Sequence, residues 1–203
     1  PALIEFAKAH PDLVVDIDFS DRYVDLVEEG FDLGLRIGEL QDSSLVARRL
    51  TDIRATLCAS PDYAAACGSV DKPTDLAGRP WLRYANQPAG PLSCRAPDGK
   101  LDALRLRIAM TAGNGEFLRD AAIAGLGLTL LPNFIVYEAL ERGDLVPMLP
   151  RYHWRGVSAW AIYPPTRHLS LRVRRFIDFL ADRFGEHPYW DRPCPVPAAA
   201  EPP

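Results

Sequence analysis

Apolar positions recur along this chain in two alternating rhythms, short aliphatic or β-branched runs and short stretches with helical spacing. Leu3, Ile4 and Ala7 have the spacing of a helix that His10-Pro11 stops. Residues 14–19 read as a strand, Ser20-Asp21 as a helix cap, 22–29 as a helix, Gly30 as its stop and 31–37 as the next strand. That βαβ order calls for a parallel sheet. Strands are expected over 45–50 and 55–59, and Ser60-Pro61 supplies an N-cap and a first-turn proline for a helix that Gly68 ends.

The second half repeats the grammar. Residues 81–84 and 92–95 read as strands, as does 104–108, where Leu104, Leu106 and Ile108 alternate with Arg105 and Arg107. Asn114-Gly115 opens a helix that runs to Ala124, Gly125 and Gly127 end it, and 128–131 is a short buried strand. Asn133 is expected to cap a helix over 134–142 that Gly143 stops, with strands at 145–148 and 157–163. A last helix over 170–184 carries Val173, Phe176, Ile177, Leu180 and Phe184 on one stripe, so it must dock on a core. The segment 187–203 contains six prolines and no period, and a disordered or loosely packed tail is expected there.

Alternating strands and helices imply an α/β fold, in which ligands gather at strand carboxyl ends and the helix N-termini that follow them. Two such points are Ser20-Asp21 and Asn114-Gly115. The opening helix has no N-cap before it, so upstream residues of a longer protein are expected.

Composition narrows the function classes. The chain has 203 residues and 48% hydrophobic content, and 23 basic against 27 acidic side chains leave a net charge of −4. Such a chain buries a sizeable core, and no run approaches the roughly 20 apolar residues that span a bilayer. No membrane partner is expected. Mild acidity gives no footprint for gripping a phosphate backbone. Cys58, Cys67, Cys94 and Cys194 form no CxxC pair, and the four histidines lack metal-ligand spacing, so free thiols, a reducing cytoplasm and no metal or cofactor are expected.

Catalytic motifs are lacking too. There is no GxSxG elbow, and neither Gly113-Asn114-Gly115 nor Gly125-Leu126-Gly127 continues into a dinucleotide or phosphate fingerprint. Asp25 and Glu29 share a helix face that reads as solvated, so no enzyme is expected. The arginines at 167, 172, 174 and 175 form a basic cluster around the last helix that likewise reads as a solvated face, with an oligomer or interdomain contact as the alternative.

Three stretches in order, 19–38 with Glu29-Gly30-Phe31-Asp32-Leu33-Gly34, 42–50, and 121–132 with Ala124-Gly125-Leu126-Gly127-Leu128-Thr129, resemble the effector-binding (substrate-binding) domain of LysR-type transcriptional regulators. The close of the chain, Leu145-Val146-Pro147 and then Tyr163-Pro164 to Leu180, is similar to the family's end. The resemblance implies a bilobed α/β fold like the type 2 periplasmic binding proteins, with two α/β subdomains joined by crossover strands. Subdomain I would take 1–58 and 164–186, with its first strand missing, and subdomain II 59–163, followed by the tail 187–203.

A small-molecule effector would bind in the cleft between the lobes. Ser20, Arg36 and Gly38 would line the first side and Tyr84, Asn114 and Gly115 the second, with Phe117 and Pro132 as apolar wall. Two helix N-termini suit an organic acid and Asp21 and Glu116 oppose one, with Arg36 as the group that could offset them and the balance left open. The resemblance also implies a homodimer, a higher homo-oligomer in the full-length parent, and DNA contact only through an N-terminal winged helix-turn-helix domain absent here. A solute-binding protein of a transport system on the same fold is the alternative.

Overall fold

A strand needs a neighbour to take its N–H and C=O groups, and where this chain finds one decides which of the expected strands exist. A computed structural model describes residues 2–19, 24–40, 43–87, 90–165 and 169–194. Among these the helices are α1 (Ala2–Ala9), α2 (Pro61–Cys67), α3 (Gly115–Ile123), α4 (Asn133–Arg142) and α5 (Leu171–Phe184). The strands are β1 (Gly34–Gly38), β2 (Val46–Ile53), β3 (Ala55–Ala59), β4 (Pro80–Tyr84), β5 (Leu92–Arg95) and β6 (Leu101–Leu104), then β7 (Arg107–Ala112), β8 (Thr129–Pro132), β9 (Val146–Pro147), β10 (His153–Trp154) and β11 (Val157–Tyr163). The chain groups into two units, one of residues 1–52 with 157–188, the other of 53–156 with the residues from 189 on. The expected changes of subdomain lay at 58/59 and 163/164.

In the first unit the sheet order is β1-β11-β2. β1 and β11 run antiparallel, Gly34 opposite Ile162 and Gly38 opposite Ser158. The expected parallel βαβ partner is thus replaced by a strand from far along the chain. Residues 14–19 form no strand, and Val14 is 95% and Phe19 84% exposed, because none of the described strands pairs with them. The helix expected over 22–29 is, from residue 24 on, a turn. Asp25 Oδ1 accepts the Val27 and Glu28 N–H groups at 2.9 and 3.1 Å, and Gly30 at φ 75° ends it.

The last helix forms as its stripe requires. Ser170 Oγ accepts the Val173 N–H at 3.3 Å, and Ile177 and Leu180 are buried. Against α5 packs α1, through Phe6 with the rings of Phe176 and Phe179 at 4.7 and 5.3 Å. Arg183 donates to both oxygens of Glu5, at 2.8 and 3.0 Å, which pulls the Glu5 carboxyl below its ordinary value.

In the second unit β3 runs antiparallel to both β8 and β9. β4 and β7 run parallel, and a Trp81–Leu128 bridge ties β4 to the strand entering β8, also parallel. The expected strand at 104–108 is broken. Leu104 still pairs with β5, the Arg105 carbonyl accepts the Gly78 N–H, and Arg107 donates to Arg79 O as the chain joins β4. Gly127 permits the Leu128 pairing, since a Cβ there would lie 2.7 Å from Pro80 O. Two buried clusters fill this unit. One is built on Leu57, Trp81, Leu104 and Leu128, the other on Leu82, Leu118, Leu131 and Val136.

The expected disorder from 187 on does not describe residues 188–194. Tyr189–Asp191 make a turn of 3-10 helix, and Trp190, Asp191 and Cys194 are buried. Two aromatics and a paired carboxylate outweigh the prolines there.

Candidate ligand site

Parallel pairing puts the carboxyl ends of β4, β7 and β8 at one end of the second unit. Tyr84, the last residue of β4, stands beside Ala112 at the end of β7. Two residues on, Asn114 leaves the sheet and caps α3, its Oδ1 accepting the Phe117 N–H at 2.8 Å. At the end of β8, Pro132 passes directly into α4. The two helix starts touch, for a Cβ on Gly115 would lie 2.6 Å from Ile135 Cδ1 and 3.7 Å from Leu131 Cδ2. A side chain at the first position of α3 would make Ile135 turn its terminal methyl aside.

Five of the sequence-derived candidates, Tyr84, Asn114, Gly115, Phe117 and Pro132, therefore lie at one end of this unit. Phe117 is 52% exposed, a large apolar surface beside a helix start. Glu116 is exposed in the same first turn, and Arg119 pairs with Asp120 at 2.9 Å. Helix starts carry partial positive charge and donor N–H groups, so this end can accept an anionic group next to an apolar one.

In the first unit Arg36 sits mid-strand opposite Trp160, and Gly38, at φ 143°, accepts the Trp160 indole N–H at 3.1 Å. Ser20 lies outside the described residues.

Sequence reasoning missed two neighbours. Gln87, in the turn after β4, donates from Nε2 to Leu130 O at 2.8 Å, while its buried Oε1 has no partner among the described residues. Asn133 was expected to cap α4, but it is the first helical residue, 2% exposed, and Pro132 in the cap position offers no side-chain acceptor. Its Oδ1 accepts the Thr56 hydroxyl at 2.7 Å and its Nδ2 donates to Asp191 Oδ1 at 2.7 Å. A polar residue after a proline was the only local signal.

An α/β domain of this kind, with helix starts at converging strand ends, defines a class of ligand-binding domains. A family model described as the LysR substrate binding domain matches residues 1–185, and the chain belongs to that family. Similar curated proteins include the HTH-type transcriptional regulator DmlR of Escherichia coli, 35% identical over 189 residues that cover 92% of this chain and 61% of that protein. An HTH-type transcriptional repressor of Pseudomonas aeruginosa is 34% identical over 195 residues, 93% of this chain and 60% of that protein. The chain thus spans about 60% of the length of these relatives.

Among solved structures, the regulatory domain of CrgA, a LysR-type transcriptional regulator from Neisseria meningitidis, is 31% identical with a TM-score of 0.78, covering 91% of both chains. The full-length Vibrio cholerae virulence activator AphB is 27% identical with a TM-score of 0.77, covering 90% of this chain and 62% of that one. The fold is therefore the mixed α/β, type 2 periplasmic-binding-protein-like fold of LysR regulatory domains. Among the described residues, no helix is long and apolar enough to cross a membrane.

Proposed function

We propose that this chain is the effector-sensing domain of a bacterial LysR-type transcriptional regulator, acting by ligand-dependent population shift rather than by chemistry. The observation that carries the reading is the meeting of the α3 and α4 starts, at Gly115 and Ile135, in a chain of this family. The ligand is a small organic acid. Its anionic group lies against the first turn of α3, and its apolar part lies against Phe117 and Pro132 beside Tyr84. Ser20, Arg36 and Gly38 are the first-unit residues that the family resemblance assigns to the same ligand.

The parent protein works in the cytoplasm as a homodimer or higher homo-oligomer, and reads DNA through a winged helix-turn-helix domain outside this chain. Effector binding shifts an equilibrium between arrangements by differential affinity, typically about 1–3 kcal/mol.

A thermal-shift panel of small organic acids, amino acids, sugars and aromatic acids at fixed salt tests this. A saturable, concentration-dependent rise for an organic acid that Arg36→Ala or Phe117→Ala weakens is the expected result. A hit that all the variants bind as the wild type does overturns the assigned site. Hits confined to sugars overturn the anion reading.

A further inference from the structure

The start of α4 has no cap of its own, and what stands there comes from the far end of the chain. Asp191 is 8% exposed, accepts from Asn133 Nδ2, and has Arg54 Nη1 at 3.5 Å from its second oxygen. A carboxylate near a helix start is favourable, and here it reaches α4 through the Asn133 side chain, while the Asn133 backbone N–H donates to Arg54 O at 2.9 Å. The same segment lays Trp190 edge-on to Phe134 and Tyr189 edge-on to Tyr137, with ring centroids 6.1 and 5.6 Å apart. Both partners lie in the first half of α4. Cys194 closes the segment, buried, its thiol donating to Trp190 O at 3.5 Å.

How the segment is attached matters as much as where. Its backbone bonds are its own, Arg192 N–H to Tyr189 O and Cys194 N–H to Asp191 O, and it joins no strand ladder. Its side chains dock it on α4, and among the described residues it can leave without breaking a strand ladder. Segments held that way open locally, at less free energy than the core.

We propose that Tyr189–Cys194 is a latch. Docked, it holds the first turn of α4, and with it the Pro132–Ile135 wall facing Gly115. Released, it lets that turn open. No latch residue contacts ligand. Asp191 is a positioning residue, and its bearing on effector binding rests on the ligand site proposed above, whereas the docking itself does not.

The test uses the full chain without ligand, comparing wild type with Asp191→Ala and Asp191→Asn. Two quantities are read, the rate at which iodoacetamide alkylates Cys194, located by peptide mapping, and the hydrogen exchange of the amides of residues 134–137. In Asp191→Ala both are expected to rise about tenfold or more, the effect of losing a charge-assisted hydrogen bond, while the amides of α3 and α5 keep their rates. Asp191→Asn retains an acceptor for Asn133 and loses the charge facing Arg54, so it should fall between the two. Should Asp191→Ala fail to fold, Asp191→Asn carries the same readouts.

Cys194 alkylated at the wild-type rate in a folded variant overturns the latch. So does faster alkylation with unchanged exchange at 134–137, which would make the segment a passive anchor. A ligand panel without hits leaves both readouts intact, so failure of the ligand reading and failure of the latch are told apart.

Discussion

Gly115 and Ile135 approach so closely that a single methyl group added to the glycine would stand 2.6 Å from Ile135 Cδ1. The contact joins two helices whose starts follow different strands, and what an added methyl would displace is the terminal methyl of the Ile135 side chain. Gly115→Ala is therefore expected to turn the Ile135 side chain aside, at a cost of about 1 kcal/mol or less. Ile135→Val, which lacks Cδ1, should restore most of that loss in the double variant. Urea unfolding of the four proteins of the cycle checks it, and a double variant no more stable than Gly115→Ala would refute the contact.

Asn114 has a duty that can be separated from ligand binding. Asn114→Ala should cost about 1 kcal/mol by losing the bond to the Phe117 N–H. Asn114→Asp keeps an acceptor at the cap, so its denaturation midpoint should stay near wild type. Yet its negative charge occupies the helix start, so binding of an organic acid should weaken. An aspartate variant that binds the acid as tightly as wild type would place the anion elsewhere.

These caps were legible in the sequence because a cap is a local device. Ser60 and Asn114 each accept from the backbone N–H three residues on, as their positions before apolar-periodic runs imply, and Ser170, read as the first residue of the last helix, does the same as its cap. Asn114-Gly115 stood out as a strand-to-helix junction, whereas Tyr84 and Pro132 were legible only through the family resemblance, because their meeting with it depends on β4, β7 and β8 pairing in parallel. What failed was non-local. Residues 14–19 alternate like a strand and find no neighbouring ladder, and 104–108 alternate while the chain changes partner at Arg105. Asn133 looks like a cap and instead serves a carboxylate 58 residues away, which no window of sequence contains.

Glu5 and Arg183 give the first unit an acid-sensitive contact. The hydrogen bonds and charge of Arg183 hold the Glu5 carboxyl below its ordinary 4.5. A depressed folded-state pKa contributes stability above the unfolded value, and that contribution is lost as pH falls through the folded one. Docking of α1 on α5 should therefore weaken on acidification below about 4.5. Glu5→Gln should lack that part of the pH dependence. Hydrogen exchange of α1 across an acid series measures it, and identical slopes in both proteins would show the pair to be inert.

Two glycines with positive φ should respond differently to alanine. At Gly143, φ 77°, a Cβ meets nothing within 4 Å, so Gly143→Ala should cost only the left-handed penalty of about 1 kcal/mol. At Gly127, φ 158°, the Cβ would strike the Pro80 backbone at 2.7 Å, which cannot yield without opening the Trp81–Leu128 bridge. Gly127→Ala should therefore cost clearly more, about 3 kcal/mol or above. Thermal unfolding of the two variants ranks them, and equal losses would count against the close approach.

The place of Asp191 also has a consequence for how the protein comes into being. Thr56 and Asn133 are buried polar groups, and the carboxylate that completes their hydrogen bonding is translated only after all of β11 and α5. In a nascent chain that has already made β3, β8 and α4, the Asn133 amide can donate only to water until Asp191 replaces it. Chains usually fold as they emerge, N-terminal parts first. Here the two core clusters are complete by Leu149, and the bond from Asn133 is closed only by nearly the last described residues.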